Sequence, residues 1–353
     1  MRPLPTSLVK LLYSSLREMF MGLFPSIAST LVGEFKGIIL ETDLIRMIVT
    51  PGYGARIISL IYKPTETEFC WHCPDTPIRK PEYKVEYENV SGFFDCIPTC
   101  EPCIFKGAKL PPLGDAALEP WELIRKEENN KSLVIEMRRV CCTYPISISK
   151  SISLSANTPI IDVNYVVQNL SDETLEYHYS GHNTLSVNPY YRIVLPQEVS
   201  TLRIGATVSD RLGKMGDEIP WPITKDKDQR DVDLSKVGKP CDKTGENLYT
   251  GKLKDAWCAA INEARKEVIG FLFSTQTLPY ILLWLNYGGW RGYYHIALEP
   301  CSGRPDNLQL AVNEWKNYAT LKPRGRASWS QRIILKHDIS HVEKITRDGE
   351  IIE

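Results

Sequence analysis

A chain of 353 residues with 43% hydrophobic content is long enough to bury a large core, as one big domain or two smaller ones. Its 42 basic and 43 acidic residues leave a net charge of −1, which argues against nucleic acid or an anionic membrane as partner. No stretch reaches the roughly 18 uninterrupted apolar residues of a membrane span.

Residues 1–33 differ from the rest. Leu8, Leu11, Leu12, Leu16, Met19, Phe20 and Leu23 recur at roughly helical spacing, which predicts an amphipathic helix or an N-terminal extension. The segment lacks a clean apolar core followed by a small-residue cleavage site, so a cytoplasmic location is expected. From residue 34 onward the pattern is β, in keeping with 24 prolines, 22 glycines and alternating runs of Val, Ile, Thr and Tyr. Short strands are predicted over 37–40, 44–49 and 55–61, and a polar, proline-bearing loop over 75–89. Residues 151–187 form the clearest strand–turn–strand unit, with the turn at 169–174 and a return strand over 175–187. The charged stretch 225–245 reads as an excursion with little core of its own. Strands resume over 259–273 and 280–286, a short helix is expected within 307–317, and a final strand over 328–335. A polar tail follows over 339–353. No repeat or linker divides the chain, so residues 34–338 are expected to form one large β domain.

The chemistry concentrates in residues 288–306. Alternation points Ile296 and Leu298 one way and His295, Ala297 and Glu299 the other, so a carboxylate shares a strand face with a histidine. Pro300 ends the ladder, and Tyr287, Trp290, Tyr293 and Tyr294 crowd in just before it. Flat rings beside a carboxylate suit a sugar, whose C–H face they cover while the carboxylate accepts from hydroxyls or removes a proton. In the return strand, regular geometry places His178, Ser180 and His182 on one face, and Gly181 leaves room for a ligand close to the backbone. Only six histidines occur in the chain, which makes two in one strand informative. Asp95 lies between aromatics in a turn-prone stretch. Cys70 and Cys73, and Cys100 and Cys103, make two C-x-x-C pairs, but the 26 residues between them exceed the ~15–20 of a zinc ribbon. The ten cysteines are read as buried thiols by default, with structural disulfides left open. Dinucleotide, P-loop and Gly-x-Ser-x-Gly signatures are all absent.

Several segments, in order, resemble the aldose 1-epimerase (galactose mutarotase-like) family. They are the glycine–aromatic–acid–Cys stretch with its Pro-Thr ending over 92–99, the histidine strand end Ser180-Gly181-His182, and the stretch Leu282, Trp284, Asn286, Gly288, Gly289, Trp290. Ala297-Leu298-Glu299-Pro300 with Gly303-Arg304-Pro305-Asp306 is the most specific piece, and Leu321-Lys322-Pro323 matches the closing turn. The resemblance spans about residues 35–336 and implies an all-β, antiparallel β-supersandwich with a sugar cleft on one concave face. It implies an isomerase that interconverts the anomers of a free sugar or sugar derivative, with a small-molecule carbohydrate as partner and no cofactor or metal. Glu299 would be the base at O1 and His182, protonated, the acid at the ring oxygen, on opposite sides of a sugar-sized space. Trp290 and Trp71 would stack on the sugar, while Asp95 and Asn286 would hold hydroxyls. The sequence departs from the pattern at Leu113, where many relatives carry a histidine beside the reactive carbon. That departure favours, as the alternative, a carbohydrate-binding or sensing protein. A lyase or hydrolase on the same fold is a further alternative, which for a hydrolase would pair Glu299 with Asp95 or Asp115.

Overall fold

A computed structural model describes residues 25–74, 78–79 and 89–353. The expected N-terminal helix lies outside the described residues. Strand after strand shows the same cause: a buried residue at every second position. Leu133, Ile135 and Met137 point inward from Ser132–Val140, and Ile161, Val163, Tyr165 and Val167 from Ile160–Asn169. Period-2 apolar patterning can bury one face only by stacking it on another sheet.

Two large antiparallel sheets result, with four two-stranded ones among the described residues. The 12-stranded sheet runs, in spatial order, Ser26–Val32, Phe35–Glu41, Ile45–Thr50, Arg56–Tyr62, Phe93–Cys96, Ser180–Leu185, Tyr294–Cys301, Tyr280–Tyr287, Thr244–Thr250, Thr201–Thr207 and Glu218–Pro220. Thr67–Glu68 pairs off this path with Arg56–Tyr62. The 8-stranded sheet runs Tyr191–Val194, Trp257–Asn262, Glu267–Leu272, Arg326–His337, Ile160–Asn169, Ile146–Ser155, Ser132–Val140 and Glu122–Glu128. One apolar cluster joins them, and polar links cross between them. Gln331 Nε2 donates to the Tyr179 hydroxyl at 3.0 Å, and Phe93 meets Phe271 edge-on at 6.0 Å between ring centroids.

The structure differs from the sequence-based expectation at three places. Ser26–Val32 is an edge strand paired along its full length with Phe35–Glu41, so the sheet begins before residue 34. The expected return strand over 175–187 breaks at His178 and Tyr179. Leu175–Tyr177 pairs with Ala319–Leu321, whereas Ser180–Leu185 enters the 12-stranded sheet, away from Ile160–Asn169 in the other one. Local alternation cannot reveal that a chain changes sheets midway. The expected polar tail folds back, pairs Lys344–Ile345 with Ile351–Ile352, and buries Ile339, Val342, Ile345 and Ile351 against Trp257 and Ile334. The short helix expected within 307–317 is present as Leu308–Leu310, capped by the Asn307 side chain and continued by a wide turn over Ala311–Trp315.

Candidate functional site

Five neighbouring strands of the large sheet carry the site on the face turned away from the second sheet. Register sets its rows. Phe94 lies opposite His182, and Leu282 opposite Glu299. Pairing of Ser180 with Cys301 and Asn183 with Leu298 puts His182 beside Glu299. The next row holds Thr184, Ala297, Trp284 and Asn247, and the one after it His295, Asn286 and Gly245.

These rows and the loops that cover them enclose a cavity of about 440 Å³, within the usual range for small-molecule sites. His182, Glu299, Asn286, Trp284, Trp290 and Leu113 line it, together with Glu101, Asp306, Asn247 and Tyr293. Trp290 rests on the backbone of Gly245, where an added Cβ would approach its ring to 2.7 Å. Asn286 fixes the same loop from below. Its Nδ2 donates to the Trp290 carbonyl and its Oδ1 accepts from the Trp290 amide, both at 3.1 Å.

At the floor, His182 Nε2 and Glu299 Oε1 stand 3.5 Å apart. They are neighbours, so the expected placement on opposite sides of a sugar-sized space is incorrect. Two adjacent groups still suffice, because O1 and O5 of a pyranose are bonded to one carbon. Ser180 Oγ donates to Glu299 Oε2 at 2.7 Å. His182 Nδ1 meets Thr184 Oγ1 at 2.9 Å, which leaves Nε2 toward the carboxylate. The imidazole stacks on Phe94 at 4.3 Å with 15° between planes and meets Trp284 edge-on at 5.1 Å. Glu299 is 1% exposed and His182 4%. Burial pushes the Glu299 carboxyl well above its usual range, opposed by the Ser180 hydrogen bond and reinforced by Asp306. Burial pulls the His182 imidazole well down, helped by nearby His295 and Arg56. Desolvation disfavours charge on both groups.

Other candidate residues are placed differently. Asp95 faces the second sheet, because one step along a strand reverses the side-chain direction. It accepts from Lys150 Nζ at 2.9 Å and from the Tyr179 hydroxyl at 2.8 Å, and does not line the cavity. Asp115 Oδ2 is held by the Thr143 amide and hydroxyl, at 3.0 and 2.6 Å. Neither can oppose Glu299 across a ligand. Trp71 stands one layer back, against Tyr293 at 5.2 Å and His295 at 4.6 Å. Gly181 gives no room to a ligand, since it faces the interior beside Gln331. His178 lies outside the strand, fully buried, with neither ring nitrogen hydrogen-bonded. All ten cysteines are free thiols, and among the described residues no cluster of His, Cys, Asp and Glu is arranged to hold a metal. Glu101 and Asn247 were not legible as site residues, because a covering loop and a distant strand bring them in, whereas Tyr293 stands among the aromatics that the sequence places just before Glu299. Asp306 had a signal in the Pro-Asp turn, but nothing local to show that it points inward.

No protein-family model and no curated protein matches the sequence. Solved structures do match. A Klebsiella pneumoniae protein provisionally named aldose 1-epimerase superposes with a TM-score of 0.70 at 14% identity, covering 91% of this chain and 86% of that one. A galactose mutarotase-like protein from Clostridium acetobutylicum gives 0.61 at 12% identity, over 89% of this chain and 99% of its own. A galactose mutarotase related enzyme from Lactobacillus acidophilus gives 0.60 at 15%, over 87% and 100%. The fold is therefore the galactose mutarotase-like, all-β antiparallel supersandwich that the sequence motifs lead one to expect.

Proposed function

We propose that this chain is an aldose 1-epimerase-like isomerase, acting on a free sugar or sugar derivative with Glu299 as base and His182 as acid. The observation that carries this reading is a buried carboxyl and a buried imidazole, 3.5 Å apart, on the floor of an aromatic-walled cavity. With a ring-closed sugar bound, the Glu299 proton passes to His182 across that gap. The carboxylate then takes the O1 proton while the imidazolium gives its proton to O5, and the C1–O5 electron pair leaves with the ring oxygen. Rotation about C1–C2 and the reverse transfers close the other anomer. Ring opening returns the pair to acid and neutral imidazole, the forms that burial favours. Each group contributes ~10²–10⁴-fold, and the reaction needs no metal or cofactor. Trp290 and Trp284 offer ring faces to the sugar. Ten free thiols support a reducing compartment such as the cytoplasm.

Leu113 supports one second reading. It lines the cavity with an apolar side chain where the resembling family carries a histidine, as a binding or sensing protein without turnover would tolerate. The test is the rate at which a freshly dissolved pure anomer equilibrates, followed by polarimetry. Wild type is expected to accelerate it, and Glu299→Gln and His182→Asn to lose ~10²-fold or more each, without the losses adding. Normal turnover by Glu299→Gln overturns the assignment, and tight binding without acceleration selects the binding protein.

A further inference from the structure

The cavity is lined unevenly from one side to the other. Strand order sets a line across its floor: Phe94, then His182, then Glu299, then Leu282, with Asn247 on the strand beyond. Past Glu299 the lining offers side-chain oxygen and nitrogen, from Asn286 and Asn247. Asp306 joins that side, since its Oδ2 accepts from Asn247 Nδ2 at 3.5 Å. On the other side of His182 the lining is apolar. Val90, Cys100 and Leu113 are all buried there, and they pack with Phe94 in one cluster. The His182 imidazole stacks on Phe94, so this cluster forms a wall at the histidine end of the floor.

Arg56 holds this wall in place. Its buried guanidinium lies over the Phe94 ring, 4.0 Å from the centroid. Nη1 donates to the carbonyls of Asn89 and Ser91, on either side of Val90, at 2.8 and 3.1 Å. Nε donates at 3.2 Å to the Ala117 carbonyl, in the short helix that Leu113 enters. The Leu113 N–H donates to the Cys100 carbonyl at 2.6 Å, which joins the third member to the same surface. The Val90 and Leu113 side chains carry no oxygen or nitrogen, so a hydroxyl pressed against them gives up water without gaining a side-chain partner. A methyl group in the same place is covered at no such cost.

Resting on the isomerase reading, we propose that this cavity takes a 6-deoxyhexose, with Val90 and Leu113 as the specificity-determining residues for its methyl group. In that reading O1 faces Glu299 and O5 faces His182. O5 is bonded to C1 and C5, so the direction from Glu299 to His182 runs from O1 past O5 to C5. The substituent on C5 therefore meets the apolar wall. C2, on the other side of C1, falls toward Asn286 and Asn247, where its hydroxyl finds donors and acceptors. An ordinary hexose would bring a hydroxymethyl group against the wall and desolvate its hydroxyl. A pentopyranose has no substituent at C5 and leaves the wall uncovered.

The test uses the full chain and both enantiomers of each sugar. Anomer equilibration of 6-deoxygalactose, 6-deoxyglucose and 6-deoxymannose is compared with that of galactose, glucose and mannose, and of the pentoses arabinose and xylose. Affinities are measured in parallel by calorimetry. At least one 6-deoxyhexose is expected to exceed its parent hexose and the pentoses by about tenfold or more, in kcat/KM and in affinity. Leu113→Asn adds an amide to the wall, and asparagine tolerates the left-handed backbone at this position. It should bring the ratio of 6-deoxyhexose to hexose below about threefold, mainly by improving the hexose. Val90→Thr keeps the shape and adds one hydroxyl. It should lower the ratio about threefold, and it decides the matter if Leu113→Asn does not fold. Hexoses or pentoses handled as well as 6-deoxyhexoses, or a ratio unchanged in the folded variants, overturn the proposal. If hexoses equilibrate as fast as their 6-deoxy forms, this inference falls and the isomerase reading stands. If 6-deoxyhexoses bind preferentially and none is turned over, the methyl preference stands and the isomerase reading falls. If no sugar binds or equilibrates, both fall.

Discussion

Two buried acids on the central strands invite comparison. Asp95 and Glu299 are each 1% exposed, and only the Ser180–Leu185 strand separates theirs. Asp95 faces the second sheet, where Lys150 reaches across at 2.9 Å and also donates to the Ala55 carbonyl at 3.2 Å. Glu299 faces the cavity, where the Ser180 hydroxyl and the His182 imidazole are its company. The first acid is satisfied and structural. The second is left poised for a proton or a ligand. Side-chain direction along a pleated strand, one residue either way, separates a clamp between sheets from a carboxyl that faces the cavity.

The comparison breaks most visibly at Lys150. Replacing Lys150 by Met leaves Asp95 buried with the Tyr179 hydroxyl alone, and is expected to lower stability by ~3–5 kcal/mol in denaturant unfolding. Adding Asp95→Asn should recover a large part of that loss, since the uncompensated charge goes with it. Glu299→Gln, by contrast, should change stability by less than about 1 kcal/mol, or raise it, because an amide costs less to bury than a carboxyl that can ionise. A loss of several kcal/mol there would make Glu299 a structural residue like Asp95.

Proton uptake sharpens the same contrast. His295 and His178 are fully buried, and burial holds both down to about 3. His182 is lowered as well. Between about pH 6.5 and 3 the unfolded chain therefore binds protons at these histidines that the native chain does not, so stability falls as pH falls through that window. Glu299 works in the opposite sense. Its raised pKa lets the native state hold a proton that the unfolded chain releases above its ordinary value near 4.3, so that contribution is lost as pH rises. His295→Phe, which keeps a ring between Trp71 and Trp284, should flatten the acid-side slope by about 1.4 kcal/mol per pH unit, one proton's worth. Unfolding curves at pH 4, 5 and 6 measure it, and an unchanged slope would mean that His295 titrates normally in the fold.

The smallest effect belongs to Leu113. It sits in the left-handed region at φ 62° and enters the short helix Gly114–Leu118. Leu113→His places a donor on the cavity wall, and one added hydrogen bond of about 1 kcal/mol should tighten a neutral hexose about fivefold. Weaker binding in calorimetry would show that the wall needs an apolar group at this point.

Much of the fold was readable because alternation is a local property. The strands over 37–40, 44–49 and 55–61 correspond to Phe35–Glu41, Ile45–Thr50 and Arg56–Tyr62 with small changes at the ends. Ile146–Ser155 carries a lesson that was available and missed. Its alternation puts Lys150 in line with the buried Ile146, Ile148, Ile152 and Leu154, so a lysine had to go inward and meet an acid. That signal identifies the clamp, and assigning Asp95 to it removes Asp95 from the cavity wall. The placing of Trp71 behind Tyr293 had no such signal.

The sequence by itself determined the strand-rich β character and singled out Glu299 and His182, since period-2 hydrophobicity, turn residues and short motifs depend on neighbours along the chain. The tertiary structure alone decided that these two groups touch, that Asp95 turns to Lys150, and that Glu101 and Asp306 crowd one wall. Each of those outcomes depends on which strands pair, in what register, and which loops close over them. Groups more than a hundred residues apart, such as His182 and Glu299, come within 3.5 Å only when that pairing brings them into one desolvated space.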